Sequence, residues 1–495
     1  MRPGSSRCGG RARVLRRLSG VTEKPVPSFE RAVDLDCSVE EAFAYHAARR
    51  AFARLTPFWD DTVVVEPLPG LVEGARAVLA VGVGPARLRW VARHEDVCDG
   101  CDGSVAGFVD VAEGGPFSSW RHEHRIEPLS PTAGRARCRL VDRIAWSGPL
   151  GGIGDAVGGG FVDAKLDRMF RFRHDTMQKD MALRRALPAH GRLRVGVTGA
   201  SGLIGAEVVA LLDVLGHDVV RFVRRPSCAA DELSWEPATG AVDPRASGLD
   251  AVVHLAGENI ADGRLDDHKR ARLRDQRVGG TARLLGALAQ LPRPPRVVVS
   301  AAAVGFYGDR GDEVLDEDSP RGQGFLAQLC ADWEWAALGA ASSTTTSSAP
   351  WRAVALRLGV VLSPRGGALQ KALPAFLAGV GGPFGDGRAW MPLLSVDDAA
   401  AIVLRVLVDD RLSGVVAATG PSPARNREFA AALGRVLRRP AVLPVPRFAL
   451  RTVLGAVADH VLESNRVEPR RLRSVGHAFR HADVESALRH VLGRR

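Results

Sequence analysis

VTGASGLIG, residues 197–205, decides the fold of the C-terminal part of this chain. An apolar run from Leu193 to Val197 precedes its glycines, a helical pattern follows them, and a second apolar run, VVRFV, ends at Val223. A strand, a glycine-rich turn, a helix and a second strand in this order form a unit whose backbone approaches a pyrophosphate at the helix N-terminus. The sequence therefore predicts a dinucleotide-binding turn. Its predicted cofactor-binding residues are Gly199, Ser201, Gly202, Leu203, Ile204 and Gly205.

The end of the second strand predicts which dinucleotide is bound. An NAD site places a carboxylate at this point for the ribose hydroxyls, whereas the 2′-phosphate of NADP requires cations. This chain has Arg224 and Arg225 there and no acid, and a planar guanidinium matches a phosphate. We predict NADP(H) as the cofactor, with Arg224 as the first candidate for the phosphate and Arg225 as the second. The alternative is that both are solvated surface arginines.

Strand and helix patterns continue to alternate up to about residue 435. LDAVVHLAGENI (249–260) and PRVVVSAAAVGFYGD (295–309) have strand patterns, with the helical segment VGGTARLLGALAQL between them. Such alternation predicts an α/β fold, a Rossmann doubly wound parallel sheet, over residues 192–435. Ligands bind at the carboxyl ends of such strands. The further residues predicted to contact the cofactor are Leu255, Ala256, Gly257 and Gly359.

Residues 28–185 follow a different plan. Ser38 and Glu41 form a capping box that predicts a helix, several strand patterns separated by Gly/Pro turns follow, and a long helical pattern covers residues 158–187. This order predicts an α+β helix-grip domain in which a curved antiparallel sheet holds a long C-terminal helix. The stretches FERAVDLDCSVEEAF and RWVARHE in this region resemble the START-like (SRPBCC) superfamily. That resemblance implies a cavity for an apolar ligand; the alternative is a closed core without a ligand.

The two ends of the chain are rich in arginine. The first 27 residues are basic and lack the apolar core of a secretion signal, which favours a disordered tail, with an organelle-targeting peptide as the alternative. Residues 436–495 predict a small, helix-rich C-terminal domain. The low-complexity stretch 341–350 predicts a flexible surface insertion.

Composition excludes several classes of partner. The chain has 495 residues, enough for two or three domains, with 46% hydrophobic and 25% charged residues. No apolar run approaches the roughly 18 residues of a membrane span, and the net charge of +11 comes from arginines spread along the chain rather than from one basic stripe. We therefore expect no membrane and no nucleic acid. The oligomeric state is left open.

The cysteines indicate a cytoplasmic protein without a metal. Seven cysteines, an odd number, favour free thiols in a reducing compartment. Cys98 and Cys101 form a CxxC pair, but a zinc site needs a second pair, and the chain has none. Cys138 and His94 could complete a site, but a Gly/Asp-rich hairpin turn that contains two thiols is the preferred interpretation. We predict no metal.

By these motifs the C-terminal part resembles the epimerase family of the extended short-chain dehydrogenase/reductases. The matching stretches include VTGASGLIG, HLAGENIADGRL, SAAAVGFYGDRGDE and SNRVEPRRL, and together they span about residues 193–492. The resemblance implies hydride transfer assisted by a Tyr-x-x-x-Lys pair and a serine. Here Phe325 and Leu329 stand at the Tyr and Lys positions, and Ala302 replaces the second serine of the family's pattern. A further departure is Ser395, at a position that is usually His.

The missing pair leaves two hypotheses. The first is an NADP(H)-dependent oxidoreductase or epimerase-like enzyme of unknown small-molecule substrate with an unusual proton donor: Tyr307, Glu258 or Ser300, with His254 and Lys371 as further alternatives. Glu258 is expected to be a buried carboxylate with a raised pKa, and Tyr307 has a packing role as its alternative. A proton from water is another route. The second hypothesis is a non-catalytic NADP(H)-binding sensor or regulatory fusion protein.

Overall fold

The computed structural model describes residues 27–66, 70–83, 86–101, 103–149, 152–258, 260, 265–339, 351–446 and 462–495. The predicted tail (apart from residue 27) and the predicted insertion at 341–350 lie outside the described residues. Two compact units are present. The first consists of the described residues up to Phe52 together with Asp60–Met181, and the second consists of Ala53–Trp59 and Ala182–Arg495. The predicted N-terminal domain, residues 28–185, therefore lacks the segment 53–59, which packs within the second unit.

The first unit is built on a seven-stranded antiparallel sheet with strand order β1-β7-β6-β5-β4-β3-β2. Its first helix begins at the predicted capping box: the Ser38 hydroxyl accepts a hydrogen bond from the Glu41 amide, and the Glu41 carboxylate accepts one from the Ser38 amide. The strands are β1 (Ser28–Leu35), β2 (Val63–Val64), β3 (Arg76–Val83), β4 (Ala86–Cys98), β5 (Ala106–Gly114), β6 (Ser119–Thr132) and β7 (Arg135–Ser147). The helices of this part of the chain are α1 (Val39–Ala47), α2 (Ala51–Leu55) and α3 (Gly152–Ala186).

Burial alternates along β6, as expected for a sheet with one face covered. Trp120, His122, His124 and Ile126 are buried, whereas Arg121 and Arg125 are exposed. One part of the covered face is apolar and aromatic, and the Trp90 and Trp120 rings meet edge to face with centroids 4.9 Å apart. The buried members of this cluster are Trp120, Ile144, Trp146, Leu166 and Phe170. The other part is polar, because two histidines of β6 point into it.

The second unit has a seven-stranded parallel sheet with strand order β10-β9-β8-β11-β12-β14-β18. The chain thus reverses its direction of winding between β8 and β11, and such a switch point is where doubly wound sheets bind nucleotides. The predicted parallel sheet is confirmed. The strands in chain order are β8 (Arg194–Thr198), β9 (Asp218–Val223), β10 (Glu232–Ser234), β11 (Ala251–His254), β12 (Val297–Ala303), β13 (Val314–Leu315), β14 (Arg352–Leu358), β15 (Val360–Leu362), β16 (Trp390–Met391), β17 (Leu393–Ser395), β18 (Gly414–Ala418), β19 (Ala424–Arg425) and β20 (Arg466–Val467).

Helices cover this sheet because their apolar residues need burial on it. A buried apolar cluster includes Phe222, Leu249, Val252 and Leu285. The helices are α4 (Leu203–Val214), α5 (Asp267–Arg274), α6 (Gly280–Ala289), α7 (Phe325–Gly339), α8 (Gly367–Leu377), α9 (Val396–Val408), α10 (Asn426–Leu437), α11 (Arg470–Ser474) and α12 (Val484–Leu492). A π-helical turn, Asp275–Gly279, joins α5 to α6.

The C-terminal segment, predicted as a separate domain from residue 436, belongs to this second unit. Its strand β20 pairs in parallel with β13, through Arg466 opposite Val314. Buried Leu488 and Val491 lie on α12, and this helix is in contact with α10. Strand pairing and buried residues join this segment to the rest of the second unit, and the boundary at 436 stays a prediction. None of the described helices combines the length and the apolar character that crossing a membrane requires.

Candidate cofactor-binding site

The glycine turn has the geometry that a dinucleotide requires. Gly199 has φ +65°, and a Cβ on it would lie 2.8 Å from the Leu255 carbonyl oxygen. A Cβ on Gly205 would overlap the Gly199 carbonyl oxygen. Gly202 begins α4 without a capping side chain, and both it and Ser201 are exposed. The N-terminus of α4, with its partial positive charge, is therefore accessible at the carboxyl end of β8.

A buried hydrogen-bond network fixes the neighbouring loop, 255–257, against this turn. The Thr198 hydroxyl accepts hydrogen bonds from the amides of Leu255 (3.1 Å) and Ala256 (3.2 Å) and lies 2.7 Å from Nδ1 of His254. Nε2 of His254 lies 3.2 Å from the Thr281 hydroxyl. Burial lowers the pKa of His254 to about 4, so its ring is neutral near pH 7. This environment favours a structural role for His254, and its role as a proton donor stays a prediction.

The two predicted phosphate-binding arginines have different surroundings. Arg225 donates to the buried carboxylate of Glu232 at 3.0 Å, and Arg221 donates to the same carboxylate at 2.9 Å. These two guanidiniums compensate the charge of Glu232, an acid on the neighbouring strand β10. Arg224 is exposed and makes no ion pair within the described part of the chain. Its guanidinium is therefore available to an external anion.

Tyr307 is buried and its hydroxyl is engaged. It donates a hydrogen bond of 2.7 Å to the Asp316 carbonyl and accepts one of 2.9 Å from Arg357. Arg357 also forms a buried, two-bond ion pair with Glu334. Burial raises the pKa of Tyr307 to about 12. This environment favours the packing role over proton transfer, and the catalytic assignment stays a prediction.

Glu258 is a correction to the sequence analysis. We expected burial to raise its pKa, but Arg272 donates two hydrogen bonds to the carboxylate, at 2.8 and 3.0 Å. These bonds lower the pKa of Glu258. The expectation failed because Arg272 lies on α5, 14 residues further along the chain, and only the fold brings it to Glu258.

The remaining predicted residues have packing explanations. Ser300 is buried within β12, and its hydroxyl donates to the Ala301 carbonyl at 3.2 Å. Leu329, at the lysine position, is buried on α7. A Cβ on Gly359 would overlap the Pro392 carbonyl oxygen, which explains this glycine without a cofactor. Lys371 is exposed on α8. The cofactor and catalytic roles assigned to these residues stay predictions.

Two buried clusters in the second unit were missed from the sequence. The Arg54 guanidinium lies 3.0 Å from Glu207 on α4 and 2.5 Å from Asp397 on α9. Ser395 caps α9, and its hydroxyl lies 3.0 Å from Nδ1 of His481. The signal in the sequence was a charged residue in a mostly apolar helix, Glu207 in α4 and Asp397 in α9. Their partners are more than 80 residues away in sequence, so no local pattern reveals the pairing.

The fold and the glycine turn define a dinucleotide-binding α/β protein of the short-chain dehydrogenase/reductase type. Residues 195–416 match the NAD dependent epimerase/dehydratase family, and residues 445–491 match a domain of unknown function, DUF1731. An epimerase family protein of Mycobacterium bovis is 40% identical over 296 residues, which cover 59% of this chain and 96% of that protein. The chain belongs to the NAD dependent epimerase/dehydratase family.

Two solved structures resemble it. A nucleoside-diphosphate sugar epimerase from Corynebacterium glutamicum is 29% identical, with a TM-score of 0.73, and the match covers 94% of this chain and 90% of that one. The human epimerase family protein SDR39U1, solved with NADPH, is 32% identical with a TM-score of 0.55, and the match covers 60% of this chain and 99% of that one. Because the first match covers nearly the whole chain, it includes both units.

Proposed function

We propose that this protein binds NADP(H) at the switch point between β8 and β11, with the 2′-phosphate on Arg224. The observation that carries this proposal is an exposed arginine, one residue after β9 ends, that makes no ion pair with any residue the structure describes. The neighbouring Glu232, which would repel a phosphate, is compensated by Arg221 and Arg225. NADPH in the related human structure supports the same choice.

The cofactor test compares two dinucleotides in two variants. Arg224→Gln should weaken NADPH binding about 10- to 100-fold, the loss expected for charge-assisted hydrogen bonds to one phosphate, while NADH binding stays unchanged. Arg296→Gln is the matched control, because Arg296 is exposed and pairs with Asp250 at the amino ends of the strands. Titration by nucleotide fluorescence measures both affinities. Equal affinities of the parent protein for NADPH and NADH would overturn the proposal.

We further propose that the protein is an oxidoreductase or epimerase-like enzyme of unknown substrate in which water supplies or accepts the proton. The Tyr-x-x-x-Lys pair is absent from the sequence, and Tyr307, Glu258 and Ser300 are each hydrogen-bonded within the protein. A site without a free proton donor suits a substrate with an activated double bond. It also suits a substrate whose carbanion is stable enough to take its proton from solvent.

Because Tyr307, Glu258 and Ser300 are hydrogen-bonded within the protein, a second candidate function is a non-catalytic sensor of NADP(H). The two functions differ in the fate of the hydride at C4 of the nicotinamide. Protein incubated with C4-deuterated NADPH and a metabolite extract should release the label into a product if it is an oxidoreductase, whereas an epimerase, which returns the hydride to its own substrate, should form an unlabelled product. Retention of the label, with NADP(H) bound and no product formed, would favour the sensor.

For the first unit we propose the START-like role, with an apolar ligand held between sheet and helix. The long helix α3, the antiparallel sheet and the aromatic cluster around Trp120 support this. Mass spectrometry of small molecules released from protein purified directly from cells tests it. An apolar metabolite at one equivalent is the expected result, whereas its absence would favour the closed core. A cytoplasmic location is also proposed, because the odd number of cysteines, seven, favours thiols in a reducing compartment.

A further inference from the structure

The polar part of the first unit's interior is set by strand register. Asp110 on β5 lies directly opposite His122 on β6, and His94 on β4 lies opposite Asp110. One step along, His124 on β6 lies opposite Asp142 on β7. Residues two apart on a strand share a face. The backbone therefore brings three imidazoles and two carboxylates together on the covered face of the sheet.

Their donor atoms are close enough to share one ion. One ligand atom each from Asp110, His122 and His124 lies within 4.8 Å of the other two. The His122 and His124 ring centroids are 3.8 Å apart, and His124 stacks on Phe108 at 4.0 Å. Imidazole nitrogens bound to one transition metal at about 2.1 Å lie roughly 3 to 4 Å apart, so small side-chain movements suffice to bring these atoms to that spacing.

The surrounding groups resemble the outer partners of a metal site. Nδ1 of His94 lies 2.6 Å from Oδ1 of Asp110, which leaves the second carboxylate oxygen of Asp110 facing His124 at 3.6 Å. Nε2 of His174, on α3, lies 2.6 Å from Asp142. Hydrogen bonds between carboxylates and histidines orient metal ligands in this way.

Internal hydrogen bonding does not satisfy the cluster. His122, His124 and Asp142 are only 5%, 3% and 2% exposed, yet Nδ1 of His124 makes no hydrogen bond with the described part of the chain, although Oδ1 of Asp142 is only 2.8 Å away. Asp110 is 23% exposed at its side chain, which provides a path from solvent.

We propose that Asp110, His122 and His124 bind a divalent transition-metal ion, with Asp142 and His94 as positioning residues. Two imidazoles and one carboxylate are the ligand set that suits Zn²⁺ and Fe²⁺. Three protein ligands leave at least one coordination position for water or for an oxygen atom of a bound molecule. The sequence predicted no metal because it lacks a second cysteine pair. That argument does not include this cluster of histidines and carboxylates. The metal site is independent of NADP(H) binding in the second unit.

The test uses the full chain, stripped with a chelator and titrated with ZnCl₂ by calorimetry, and with CoCl₂ followed by visible absorption. To exclude the CxxC pair as a binding site, the background carries Cys98→Ser and Cys101→Ser. One equivalent of Zn²⁺ should bind, and Co²⁺ should develop the intense d–d bands of a site with nitrogen ligands. Less than half an equivalent of Zn²⁺ in this background would overturn the proposal whatever the ligand variants do.

Variants then assign the ligands. His122→Gln should weaken Zn²⁺ binding at least 100-fold and abolish the Co²⁺ bands, whereas His94→Gln should weaken it about 10-fold, as for an outer partner. His268→Gln, an exposed histidine of the second unit, is the matched control and should change nothing. Circular dichroism checks that each variant is folded. Zn²⁺ binding that survives in folded His122→Gln and in folded His124→Gln would place the ion elsewhere and overturn the assignment.

Discussion

The interior of the first unit and the cofactor end of the second unit bury polar side chains in different ways. In the second unit, His254 and Tyr307 each have two hydrogen-bond partners inside the protein. In the first unit, Nε2 of His122 and Nδ1 of His124 lie within 3 Å of the same carboxylate oxygen of Asp142. Among the described residues, Nδ1 of His124 is buried without a hydrogen bond. Buried polar groups whose hydrogen bonds are all made inside the protein stabilise a fold. Buried polar groups that lie close together and lack a hydrogen bond indicate a ligand. If the buried polar groups of the second unit are structural, three variants should change stability in a graded way.

The largest effect is expected at Arg54. Arg54→Met removes the cation between Glu207 and Asp397 and leaves two carboxylates buried at side-chain exposures of 9% and 1%. Breaking a buried ion pair in this way costs about 3–5 kcal/mol of unfolding free energy, measured by urea denaturation. Arg365→Met is the control, because Arg365 is 38% exposed and lies 3.8 Å from Glu207, so its loss should cost at most about 1 kcal/mol. Equal losses for both variants would contradict the ion-pair account.

A pH-dependent effect is expected at His254. Its pKa is about 4 in the folded protein and about 6.5 in an unfolded chain. As the pH falls from 7 to 5, the unfolded state gains a proton that the folded state does not, so stability is lost over this range and kept above it. The parent should lose about 2 kcal/mol more than His254→Asn between these pH values. His268→Gln should show the parent's slope, and identical slopes for parent and His254→Asn would argue against a neutral, buried ring.

The smallest effect is expected at Tyr307. Tyr307→Phe removes the hydroxyl that joins Asp316 and Arg357, which should lower the unfolding free energy by about 1–2 kcal/mol. NADPH affinity and any turnover should stay at the parent level, because the hydroxyl is buried and engaged. Thermal denaturation and nucleotide titration measure the two quantities. Lost turnover with unchanged stability would instead assign Tyr307 to the catalytic machinery.

Local pattern was sufficient for the parts of the molecule whose geometry is local. The strand, glycine turn and helix around Gly199 depend on neighbouring residues and on the absence of a Cβ, so the sequence predicted them. The capping box at Ser38 and Glu41 was predicted for the same reason. The pairing of Arg221 and Arg225 with Glu232 was not predicted, because it depends on β10 lying beside β9 in the sheet.

What the sequence by itself determined is the parallel α/β core, the dinucleotide turn and the absence of the usual tyrosine and lysine, since each depends on residue types at fixed short spacings. Only the tertiary structure decided that Glu258 is held by Arg272, that Tyr307 is buried, and that Asp110 faces His122 and His124. WRHEHRIE predicts a strand with histidines on one face, but which carboxylate lies opposite depends on strand register. Register is set by the packing of the whole sheet, and no single stretch of chain contains that information.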